Sequence, residues 1–102
     1  MKTATLIIFH LHRKDKKIEM SNACKLYREL YGYNNYSFYG KYRSRIDGLI
    51  DKINGIRIVR SVVIVRNEDA KSVMDLLLKY QAEIITKKVI LDQNDIRQLR
   101  ID

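Results

Sequence analysis

Apolar residues in this chain repeat at two spacings, and the switches between them divide it into elements. Thr3 to Leu11 is β-branched and apolar without a breaker, which predicts a central strand with both faces at least partly covered. From about Glu19, the residues Met20, Ala23, Cys24, Tyr27, Leu30 and Tyr31 recur at helical spacing, and Gly32 is placed to end that helix in the left-handed conformation. Asn34 and Asn35 then read as a turn. Asp47 to Ile53 predicts a short helix with Leu49, Ile50 and Ile53 inward, closed by the turn signal Asn54-Gly55. Ile56 to Val65 reads as strand, with a bulge or bend at Arg60-Ser61. Asn67 is a candidate N-cap for a helix from Glu68 to Tyr80, whose inner stripe is Ala70, Val73, Met74, Leu77 and Leu78. Glu83 to Leu91 predicts the last strand, and Asp92 caps a final helix to about Arg100.

Between these elements lies Tyr31 to Arg45, YGYNNYSFYGKYRSR, which holds five of the seven tyrosines. If Tyr36 to Arg43 forms a strand, Tyr36, Phe38, Gly40 and Tyr42 share a core face, while Ser37, Tyr39, Lys41 and Arg43 share a contact face.

The halves also resemble each other. An offset of 47 places Ala23 on Ala70, Leu30 on Leu77, Phe38 on Ile85 and Leu49 on Ile96, and an offset of 56 places Thr5 on Ser61 and Ile8 on Ile64. The expected fold is therefore α+β, a ferredoxin-like or related sandwich built from two degenerate β-α-β-α repeats sharing one sheet, 1–54 and 55–102, within a single domain. A junction between such lobes predicts a groove.

Charge sharpens this picture. The net charge is +8, but residues 1–46 hold 10 Lys and Arg against 3 Asp and Glu, a net +7, whereas residues 47–102 hold 10 against 9. The basic character belongs to the first half, concentrated in the run Arg13 to Lys17, RKDKK, which reads as a loop. Such asymmetry points to a polyanionic partner, and equally to a solvated surface.

Other chemistry finds little support. Cys24 alone excludes an internal disulfide framework and reads as a small core residue. His10 and His12 share a strand face without a visible third ligand, so a rim pair is the simpler reading than a metal site. No phosphate-loop, dinucleotide or zincin motif occurs, and Ser61, Ser72 and Thr86 have no histidine nearby for a hydrolase triad. No cofactor is expected. The apolar runs are too short to span a bilayer and Met1-Lys2 is not followed by a cleavage signal, so a cytoplasmic location is expected.

A first strand ending LIIFHLH and a later SVVIV strand resemble the Cas2-type nucleases of CRISPR systems. That family's pattern places a metal-holding aspartate at the end of the first strand, where this chain has His10, Leu11 and His12, so no site residue carries over. In size and style the whole chain is similar to small proteins of filamentous viruses of hyperthermophilic archaea, of the Acidianus filamentous virus 1 type. It shares with them a basic αβ character with 31% charged residues and no proline. The resemblance implies a virus-encoded protein acting in the host cytoplasm.

Two functions remain in competition, both non-enzymatic. In the first, Arg13, Lys14, Lys16, Lys17, Lys41, Arg43 and Arg45 contact phosphates and Tyr39 stacks on a base. In the second, the chain is a protein-interaction adaptor that takes an extended peptide at a strand edge or between the lobes, and the plainer alternative to it is a homodimer made through the same edge.

Overall fold

A computed structural model of the chain describes residues 2–11, 16–37, 40 and 42–101, with the backbone alone at 16–22, 36–37 and 42. In order, the elements are β1 (Thr3–His10), α1 (Lys16–Tyr31), β2 (Gly32–Ser37), β3 (Tyr42–Asp47), α2 (Leu49–Lys52), β4 (Ile56–Val59) and β5 (Val62–Val65). A 3-10 turn (Asn67–Asp69), α3 (Ala70–Lys79), β6 (Glu83–Ile90) and α4 (Gln93–Leu99) complete the chain.

Four strands form one sheet in the order β4-β5-β1-β6, every neighbouring pair antiparallel. Because β1 and β4 both run antiparallel to β5, they are parallel to each other, and the chain between them crosses over the sheet through α1. By the same reasoning β5 and β6 are parallel and joined through α3. Two crossovers in one antiparallel sheet make an α+β architecture compatible with a ferredoxin-like sandwich.

Alternation along β1 supplies both cores. Ile7 and Phe9 face the helices, packing with Val63, Val65, Leu26, Leu30, Val73 and Leu77. Ala4 lies on the other face, where Leu91 and Leu99 close a second cluster with Ile56, Ile64, Val89 and Ile96. Helix α4 holds its place there through its cap: Asp92 accepts from the Asp95 amide at 2.8 Å and the Asp95 carboxylate accepts from the Asp92 amide.

Several expectations change. Tyr36 to Arg43 is not one strand. The chain reverses within it, giving a separate two-stranded sheet in which Gly32 opposes Asp47 and Ser37 opposes Tyr42. Gly40, at φ +82°, lies in the connection. Asn34 and Asn35 are therefore strand residues, paired with Arg45 and Ser44. The proposed core face of Tyr36, Phe38, Gly40 and Tyr42 presupposed an unbroken strand, and Phe38 and Tyr39 lie outside the described residues.

The hairpin also alters the repeat. Residues 1–54 carry β-α-β-β-α and residues 55–102 carry β-β-α-β-α, so the halves do not share one element order. In the sheet's topology β4, rather than the stretch around Phe38, holds the place that β6 holds after α3.

Ile56 to Val65 is likewise a hairpin, turning at Arg60-Ser61, with a register shift that leaves Ile58 as the extra residue between Arg57 and Val59. Lys16 and Lys17 belong to the first turn of α1 instead of a loop. Asn67 does not cap α3. Its side chain takes the Thr5 hydroxyl proton at 2.8 Å and reaches Thr3, tying the 3-10 turn to β1. Cys24 is exposed, on the side of α1 away from the core.

At the base of the β2–β3 hairpin the backbones of Gly32 and Gly48 touch, and a Cβ on either would collide with backbone of the other segment. Gly32 also needs its φ of +79° to leave α1. Replacing Gly48 by Ala should cost about 2–4 kcal/mol, since the obstacle is backbone, which has no rotamer to change. Asp92→Ala should cost about 1 kcal/mol through loss of the cap. Denaturant unfolding of both variants checks the order, and a Gly48→Ala protein as stable as the parent contradicts the close approach.

Candidate nucleic-acid interface

Tyr27 and Tyr31 are four residues apart on α1 and so lie on one side of it, a turn apart. Their rings stack at 6.0 Å between centroids with an interplanar angle of 8°, and Phe9 of β1 approaches Tyr27 at 6.3 Å. The β4–β5 hairpin lays two arginines over this pair. The Arg57 guanidinium is 4.3 Å from the centre of the Tyr31 ring and that of Arg60 is 4.1 Å from the centre of the Tyr27 ring. Each contact contributes about 0.5–2 kcal/mol, more as water is excluded.

Register explains the placement. Arg57 opposes Val63, whose side chain is buried on the helix-covered face, so Arg57 projects to the same side as α1. Arg60 sits in a two-residue turn that lacks the positive φ and glycine such turns favour. The turn is held from outside instead: the Tyr31 hydroxyl donates to the Arg60 carbonyl at 2.5 Å, and the Phe9 amide donates to the Ser61 carbonyl at 3.0 Å.

Burial pushes the Tyr31 phenol up to about 12, with Arg57 opposing the shift. At neutral pH it is a donor, as its bond to Arg60 requires.

Both arginines are exposed residues, and among the described residues no carboxylate lies within ion-pair distance of either. Other arginines of the structure are engaged differently. Arg66 bonds Asp69 at 2.8 Å. Arg45 donates to the Tyr31 carbonyl at 2.6 Å and to Asp51 at 3.0 Å, and Asp51 also accepts from the Gly48 amide. Arg45 thus clasps the hairpin base to α1 and α2.

Of the residues named from the sequence, Arg13, Lys14, Tyr39 and Lys41 lie outside the described residues, as do the side chains of Lys16 and Lys17. Arg43 is exposed on β3 opposite Tyr36. Arg57 and Arg60 were not singled out from the sequence, and Tyr27 and Tyr31 read there as helix core. The available signal was the pair of arginines in a run from Ile56 to Val65 that is otherwise apolar except for Ser61. Farther along α1, Arg28 lies 5.1 Å from the Tyr33 ring centre, a third arginine–tyrosine contact.

Among the described residues, no group of three or more His, Cys, Asp or Glu is arranged to hold a metal ion. No described helix is long and apolar enough to cross a membrane.

Tyr31→Phe keeps the ring and removes the bond to Arg60, so it should cost about 0.5–1.5 kcal/mol near neutral pH. The phenol also makes stability depend on pH. Its folded value lies above the ordinary one of 10.0, so above pH 10 the unfolded chain loses this proton while the folded chain keeps it. Stability therefore falls as pH rises from about 10 towards 12, and Tyr31→Phe should remove that part of the decline. Parallel unfolding curves at neutral and alkaline pH test this, and identical alkaline slopes for parent and variant would refute it.

Searches for similar proteins found no matching family model, no matching curated protein and no matching solved structure.

Proposed function

We propose that this chain is a non-catalytic nucleic-acid-binding module whose contact surface is centred on Arg57 and Arg60. The observation carrying this reading is that the guanidiniums of two exposed arginines lie over a stacked tyrosine pair, with no carboxylate of the described residues beside them. A guanidinium held on a ring loses side-chain freedom before any ligand arrives, while its N–H groups lie in its plane and remain able to grip phosphate. Its outer face is a surface on which an unpaired base can stack.

The charge supports the same reading. A net +8 gives a long-range attraction for polyanions, and the excess in residues 1–46 places Arg28 and Arg43 among the cations of the half that also supplies the tyrosines. Arg13, Lys14, Lys16 and Lys17 then add phosphate contacts that depend on charge and little on sequence.

Binding of labelled single-stranded DNA and RNA, followed by fluorescence anisotropy across a salt series, tests the proposal. Affinity should fall steeply as salt rises, and replacing both Arg57 and Arg60 by Ala should weaken binding for all sequences and lower the salt slope by about 2, roughly one for each lost phosphate contact. Binding that ignores salt, or a double variant with the parent's slope, refutes this interface. Salt-resistant binding of an extended peptide, with none of nucleic acid, would establish the adaptor reading instead.

A further inference from the structure

Beyond that surface, we propose that two copies of this chain pair edge to edge through β6, antiparallel, with Ile85 opposite Ile85 of the second copy. Strand β6 is the outermost of the four-stranded sheet, and among the described residues no strand pairs with its outer edge. An eight-residue strand ending a sheet offers its unpaired backbone groups to another strand.

The side chains select the occupant and the register. A twofold axis normal to the sheet keeps the helices of both copies on one side, so each residue must oppose one of the same face. Centring on Ile85 places Glu83 opposite Lys87 of the second copy, twice by symmetry, flanking the Ile85 pair. On the helix side, Lys88 then meets Ala82 and Ile84 meets Thr86. Shifting the centre to Lys87 or Lys88 sets like charges against each other, while Thr86 or Ile84 at the centre leaves Glu83 opposite Val89 or Ile85. Among these registers, the Ile85-centred one alone matches opposite charges.

The open sheet face adds a second, independent reason. The ladders align Val59, Val62, Ile8 and Ile85 in one row across all four strands. Helix α4 covers the other end of this face, around Ala4, Ile64 and Val89. Val59 and Ile85 are each 54% exposed, large values for aliphatic side chains on regular strands. Joining two copies at Ile85 makes the row continuous across eight strands and covers the Ile85 end. The row is wholly aliphatic and lacks the aromatic platform that unpaired bases stack on, which favours a protein occupant.

Sedimentation velocity over a concentration series, without nucleic acid, should show a monomer–dimer equilibrium. Glu83→Lys and Lys87→Glu should each weaken it at least about tenfold, because each sets like charges opposite one another, and the two together should restore it. In a Cys24→Ser background, Ile85→Cys should form a disulfide-linked dimer under mild oxidation, and Lys88→Cys should not. Circular dichroism establishes that each variant is folded. A chain that stays monomeric at every concentration overturns the proposal. So does a dimer that survives Glu83→Lys without cross-linking at position 85, since its interface lies elsewhere.

Discussion

Strand β1 is paired along its length with β6 and over Thr5 to Ile8 with β5, so its backbone is the one on which both halves of the sheet converge. Its side chains alternate between two clusters: Ile7 and Phe9 under the helices, Ala4 against α4. Strand β5 likewise pairs with both strands of the opposite crossover and serves both faces, but it is four residues long where β1 is eight. Even its buried polar residue is used, since Thr5 bonds Asn67 and thereby ties β1 to the turn before α3. A change that tilts β1 would disturb the helices, the last helix and the turn before α3 together.

On the helix-covered side, Tyr31 joins what β1 leaves separate. It ends α1, stacks on Tyr27, donates to the Arg60 carbonyl, lies beneath Arg57 and offers its own carbonyl to Arg45. Through these contacts α1, the β4–β5 turn and the base of the β2–β3 hairpin share one residue. A two-stranded hairpin is marginal alone. Here it is held at its base by the Arg45 clasp and by the contact between Gly32 and Gly48.

The two proposed surfaces use different parts of the sheet. The arginines stand on the helix-covered side at the β4–β5 edge, whereas β6 is the opposite edge. Pairing through β6 would therefore leave both arginine clusters uncovered, at the two ends of an extended sheet. Two modest phosphate-gripping sites on one rigid body bind a long polyanion more tightly than either alone, provided the ligand spans them.

By itself the sequence determined the class of the fold and most of its elements. The apolar run of β1, the helical stripe that carries Leu30, the stripe of Val73 and Leu77, and the Asp92 cap each follow from spacing over a few residues, and local chemistry is enough to specify them. Tertiary structure alone decided the two hairpins and the arginine–tyrosine cluster. At Arg60-Ser61 the sequence shows a bulge or bend and not a full reversal, because the turn there has no glycine and is held by Tyr31 and Phe9, residues 29 and more positions away. Asn67 looked like a cap and instead bonds a strand residue 62 positions earlier. The tyrosines of α1 read as core because periodicity reports which face is turned inward, whereas what covers that face depends on the partner, here two arginines brought by a hairpin distant in the chain.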